Sequence, residues 1–75
     1  MGYVNDKRLM ATVAENTKRF RETAGYQSRW GLSEAAGLAV SCIYDIERGR
    51  RLPSLRAAVK ICEACGRTLD ELVRP

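Results

Sequence analysis

The chain has 75 residues, enough for one small domain with one modest core. Thirteen Lys and Arg against nine Asp and Glu leave a formal charge of +4, a mild basic balance that suggests an anionic partner without naming one. Histidine is absent, which removes the commonest general base and the commonest metal ligand.

Helical apolar spacing recurs between the glycines and prolines, and no alternating run of β-branched residues appears. The chain therefore reads as an all-α bundle of five helices. The first covers about residues 6–24. Leu9, Val13, Phe20 and Ala24 form its apolar stripe, and Thr17 fills a slot that is more usually apolar. Asn5 or Asp6 caps its start and Gly25 ends it. The second is short, about 29–36, with Ser28 as N-cap and Gly37 as terminator. Gly31 inside it costs about 1 kcal/mol against alanine.

A connection of only Gly37, Leu38 and Ala39 leads to the third helix, about 40–48, which stops at Gly49. Ala39 offers no side-chain oxygen to the free N–H groups of that helix. Pro53 keeps Leu52 out of the helical region. Ser54 caps a fourth helix, about 55–65, with Leu55, Ala58, Val59, Ile61, Cys62 and Cys65 as its inward stripe. Thr68 and Glu71 form a capping box that starts a short fifth helix bearing Leu69, Leu72 and Val73.

Two short helices joined by a three-residue, glycine-containing turn make a helix-turn-helix. On the second of them Ile43 and Ile46 point one way, with Cys42 beside them. Val40, Ser41, Tyr44, Asp45 and Arg48 share the other face. That face is short-chained or polar at its start and basic at its end, as a helix needs if its first turns read the major groove. Arg48, Arg50, Arg51 and Arg56 follow within nine residues that hold no acid. Guanidinium forks match phosphate oxygens, so these arginines are candidate backbone contacts.

Residues 28–71 resemble the Cro/phage-repressor (Xre-type) helix-turn-helix family. The resemblance is carried by Ser28-Arg29 with Leu32, by Ala36-Gly37-Leu38, and by Thr68-Leu69-Asp70-Glu71-Leu72. Its most specific part is the block from Ile43 and Ile46-Glu47-Arg48-Gly49-Arg50 to Pro53-Ser54-Leu55. Phe20-Arg21-Glu22 extends it into the first helix. It implies a compact five-helix, phage-repressor-like bundle, with 1–12 as an N-terminal extension and 13–75 as the DNA-binding domain.

By the same resemblance Val40, Ser41, Tyr44 and Asp45 face base edges, and Arg29, Arg48, Arg50 and Arg51 contact phosphates. Free N–H groups around Ser54 add an anion site. Arg21 and Glu47 form a structural ion pair. The sequence departs from the family pattern at Arg29, where glutamine is usual. It departs again at Ser33, whose hydroxyl needs a backbone acceptor, at Ala39, where a capping hydroxyl is usual, and at Trp30 and Gly31.

These observations lead us to expect a sequence-specific transcriptional regulator of double-stranded DNA with no cofactor. A single reading helix spans few base pairs, so a homodimer on a palindromic operator is expected. Leu69, Leu72 and Val73, with the loop near Gly66 and Arg67, are the candidate contact patch, with completion of the core as the competing role for these leucines and valine. The alternative is an antitoxin-like module that holds a protein partner and binds DNA to control its own synthesis.

Other chemistry is poorly supported. Cys62 and Cys65 stand in a C-x-x-C pair, but one further cysteine and no histidine do not complete a zinc site. A redox role expects a βαβ setting. The first eight residues carry no apolar signal core, and no apolar run approaches the ~20 residues of a membrane helix. A cytoplasmic protein with reduced, buried thiols is expected.

Overall fold

The computed structural model describes residues 6–75, and Asn5 lies outside them. Five helices follow in order, α1 (Asp6–Thr23), α2 (Arg29–Ala36), α3 (Val40–Glu47), α4 (Leu55–Cys65) and α5 (Leu69–Val73). No strand occurs among the described residues. The expected stops need a left-handed residue, and glycine supplies it where the chain turns most sharply. Gly37 at φ 69° closes α2, and Gly66 at φ 68° closes α4. Beyond them Leu38 N–H bonds the Ser33 carbonyl at 3.0 Å and Arg67 N–H bonds the Cys62 carbonyl at 2.9 Å. Both contacts satisfy carbonyls that the helix itself leaves open.

The N-caps follow side-chain chemistry. Ser28 accepts from Gly31 N–H, Ser54 from Ala57 N–H, and Thr68 with Glu71 forms the complete capping box. Ala39 makes no side-chain cap bond, so α3 begins without that support and is held by packing instead. The Ser33 hydroxyl finds its backbone acceptor on Leu38 at 2.6 Å, which ties α2 to the turn before α3.

Phe20, Leu32, Ile43, Ile46, Ile61 and Leu72 are almost fully buried and draw all five helices onto one core. Two apolar residues expected inside lie outside. Leu55, at the first position of α4, is 73% exposed because the chain has only just turned out of the Pro53 loop. Ala24 is exposed because α1 ends at Thr23, one residue earlier than its spacing suggested. Cys42, Cys62 and Cys65 are free thiols. Cys62 is buried as expected but Cys65 only partly so, and burial pushes both thiols up from their ordinary value.

The inward face of α1 carries more polar atoms than its stripe indicated. Asn16 and Thr17 are buried between Val13 and Phe20. Asn16 Nδ2 donates to the carbonyls of Glu71, Leu72 and Arg74 at 3.2, 2.8 and 2.7 Å. Those carbonyls belong to the end of α5, where no further turn of helix can use them. A five-residue helix is far too short to stand alone, so α5 depends on this clamp and on the burial of Leu72. Thr17 Oγ1 is buried without a hydrogen-bond partner.

Candidate nucleic-acid interface

Ile43 and Ile46 are each 0% exposed and anchor α3 to the core. Turning those two inward leaves Ser41 and Tyr44 exposed, with Val40 and Asp45 at the margins of the same face. The structure thus brings the four expected base-facing residues onto one outward surface of α3. Arg48, Arg50 and Arg51 continue that surface and are all exposed.

The arginine loop is folded back onto α3. Arg50 N–H bonds the Asp45 carbonyl at 2.9 Å, and Arg51 Nη2 donates to Cys42 Sγ at 3.3 Å. Its charges are therefore carried alongside the helix and do not trail from it. The Ser54 hydroxyl is occupied by Ala57 N–H at 3.1 Å, so what this corner offers an anion is the free backbone N–H of Leu55 and Arg56.

Behind this surface lies a buried carboxylate. Glu47 Oε2 meets Arg21 Nε at 2.7 Å and Oε1 meets Arg21 Nη2 at 3.2 Å, a two-pronged pair between α1 and α3. Arg21 Nη1 also donates to the Tyr26 carbonyl at 3.1 Å and so steadies the turn before α2. Glu47 presses the Arg21 guanidinium to hold its proton even more firmly than usual, against the opposing effect of burial.

The same carboxylate takes a second cation. Arg29 Nε lies 3.0 Å from Glu47 Oε1, and the Glu47 side chain is wholly buried. The Arg29 guanidinium carbon then sits 5.1 Å from the centre of the Tyr44 ring. Arg48 sits at the same distance and donates from Nη1 to Tyr44 Oη at 2.6 Å. Arg29 is thus anchored at Nε while its side chain stays 37% exposed, an internal contact that its expected phosphate role did not include. Helical spacing puts Tyr44 near Glu47 and Arg48 at the end of α3, but no spacing rule brings Arg29 to them from α2, so its part in the cluster was not visible in the sequence.

Of the suggested dimer residues, Leu72 is 1% exposed and completes the core. Leu69 and Val73 are 37% and 48% exposed. They share a groove with Leu9, Leu52, Pro53 and the unexpectedly exposed Leu55. Trp30, 64% exposed on the first turn of α2, takes no part in the core. Among the described residues no group of Cys, Asp and Glu is placed to hold a metal, and no helix is long and apolar enough to cross a membrane.

Two short helices set by a tight turn, the second anchored from behind and edged by arginines, define a helix-turn-helix DNA-binding domain. The family model described as helix-turn-helix matches residues 18–72, and the chain belongs to that family of transcriptional regulators. Its members are not enzymes. It is 36% identical over 58 residues to the uncharacterized HTH-type transcriptional regulator YazB of Bacillus subtilis (strain 168), covering 77% of this chain and 83% of that protein. The hypothetical transcription factor NHTF from Neisseria has a similar structure, with a TM-score of 0.84 and 27% identity over 100% of this chain and 85% of the other. The restriction-modification controller protein C.AhdI from Aeromonas hydrophila matches with a TM-score of 0.77 and 27% identity, over 84% of this chain and 94% of the other.

Proposed function

We propose that the protein regulates transcription by seating α3 in the major groove of a palindromic operator, as a homodimer. The observation that carries this reading is the division of α3 into two faces. Ile43 and Ile46 are sealed in the core, while Val40, Ser41, Tyr44 and Asp45 face outward beside three exposed arginines. Val40 suits a thymine methyl, Asp45 accepts from a cytosine amino group, and Ser41 serves several bases. Arg48, Arg50, Arg51 and the start of α4 supply the phosphate contacts, which set affinity and salt dependence but not sequence choice.

The dimer contact is the groove between α4 and α5, where Leu55, Leu69 and Val73 are exposed together. Selection of bound duplexes from a random pool tests both parts of the reading. The expected winners are palindromes whose half-sites lie about one DNA turn apart. Arg50→Ala is expected to weaken all duplexes and flatten the salt slope, and Asp45→Ala to change which duplex is preferred. Failure of the wild-type protein to bind any duplex in a salt-dependent way overturns the DNA reading. Sedimentation as a monomer on a single half-site overturns the dimer.

A further inference from the structure

We infer that Arg29 is a positioning residue for base choice, acting through the Tyr44 ring. The inference rests on the DNA-binding reading above. Glu47 is buried and already held by Arg21, so it is a fixed point of the core. Arg29 Nε is fastened to it at 3.0 Å. From that anchor the guanidinium extends over Tyr44, and Arg48 engages the same ring and its hydroxyl. A continuous chain of contacts thus runs from the core to the middle of the reading face.

An exposed tyrosine on a surface helix ordinarily samples several rotamers and loses that freedom when it docks. Here two guanidinium groups restrict the ring before any partner arrives. Planar guanidinium stacks on aromatic faces, whereas glutamine brings no cation to the ring and lysine brings a point charge without the planar face. Glutamine at position 29 would also bring no charge to Glu47. Arg29 therefore decides how Tyr44 is presented while touching no base itself.

The test uses a duplex selected from a random pool by the wild-type protein, and duplexes altered at the base pair to which Tyr44→Ala is most sensitive. Anisotropy titrations at several salt concentrations compare the wild type with Arg29→Gln and Arg29→Lys. Arg21 still pairs with Glu47 in both variants, and circular dichroism checks that they fold. Discrimination at that base pair is expected to fall about tenfold, the worth of one base contact. The salt slope is expected to stay the same, and Arg29→Gln is expected to have no further effect in a Tyr44→Ala background.

A salt slope reduced by about one with discrimination intact would make Arg29 a phosphate contact and overturn the inference. Additive losses in the double variant would overturn it as well. Side-chain NMR of the free protein gives a DNA-independent check. Arg29 δ-protons are expected upfield under the Tyr44 ring and at ordinary positions in Tyr44→Leu, and ordinary positions in the wild type would refute the stack. Absence of wild-type binding to every duplex would instead end the DNA-binding reading, and this inference with it.

Discussion

The outer face of α3 and the groove edged by α5 are both exposed, but they are built from opposite chemistry. On α3 the exposed groups are polar or cationic, and they are held by charged contacts that lead back to Glu47. In the groove the exposed apolar groups are Leu55 of α4 with Leu69 and Val73 of α5, and the end of α5 is held by uncharged bonds from Asn16 to its last carbonyls. The first surface suits a polyanion read through hydrogen bonds. The second suits an apolar partner of like kind. A domain this small uses its one core to support both, with α1 contributing Arg21 to one side and Asn16 to the other.

The largest effect is expected from the charged anchor. Glu47→Gln leaves Arg21 buried without its anion, and breaking such a pair costs about 3–5 kcal/mol. Urea unfolding measures it, and a loss below about 1 kcal/mol would show that the anchor does not hold α3. Next comes the neutral clamp. Asn16→Ala removes the donors to three carbonyls and is expected to cost about 2 kcal/mol. Hydrogen exchange should then speed up in α5 before α3. Equal acceleration in both would erase the distinction between the two regions.

Thr17→Val should go the other way. It replaces a buried hydroxyl without a partner by a methyl of similar size and is expected to add about 1 kcal/mol. An unchanged denaturation midpoint would mean that the hydroxyl is satisfied in solution.

The smallest expected effect lies at the start of α5. The Thr68 backbone N–H holds the Glu71 carboxyl below its ordinary value, with help from the Thr68 hydroxyl and Arg67. Its contribution is present above the unfolded carboxylate pKa of about 4.3 and is lost as pH falls through the lower folded value. Acid titration followed by NMR should show the α5 amides fraying before those of α3, and Glu71→Gln should reduce the pH dependence of that step, leaving what the Asp70–Arg74 pair contributes.

Much of this was legible in the chain because it is local. Ser28, Ser54 and the Thr68–Glu71 box mark helix starts by bonds that span three residues. Gly37 and Gly66 mark stops because only glycine adopts the left-handed geometry without cost. The two-faced pattern of α3 follows from helical periodicity alone. Leu55 was misread because periodicity cannot tell whether the first residue of a helix has yet turned toward the core. Leu72 and its neighbours Leu69 and Val73 have the same chemistry in sequence, and only packing separates the core residue from the exposed pair.

The sequence by itself determined the helices, the caps at Ser28, Ser54 and Thr68, the helix-turn-helix and the run of arginines beside it. Each depends on neighbours within a turn or two, where composition and spacing are sufficient. Tertiary structure alone decided that Asn16 closes α5 from 55 to 58 residues away, and that Glu47, whose pairing with Arg21 the family resemblance implied, also takes Arg29 from 18 residues away. These contacts join groups whose partners are chosen by the packing of the core, and no local rule connects them. The mild charge of +4 follows the same division. Its excess was visible as a run of arginines, but the fold placed that run beside the outward face of α3, where Ser41 and Tyr44 are exposed.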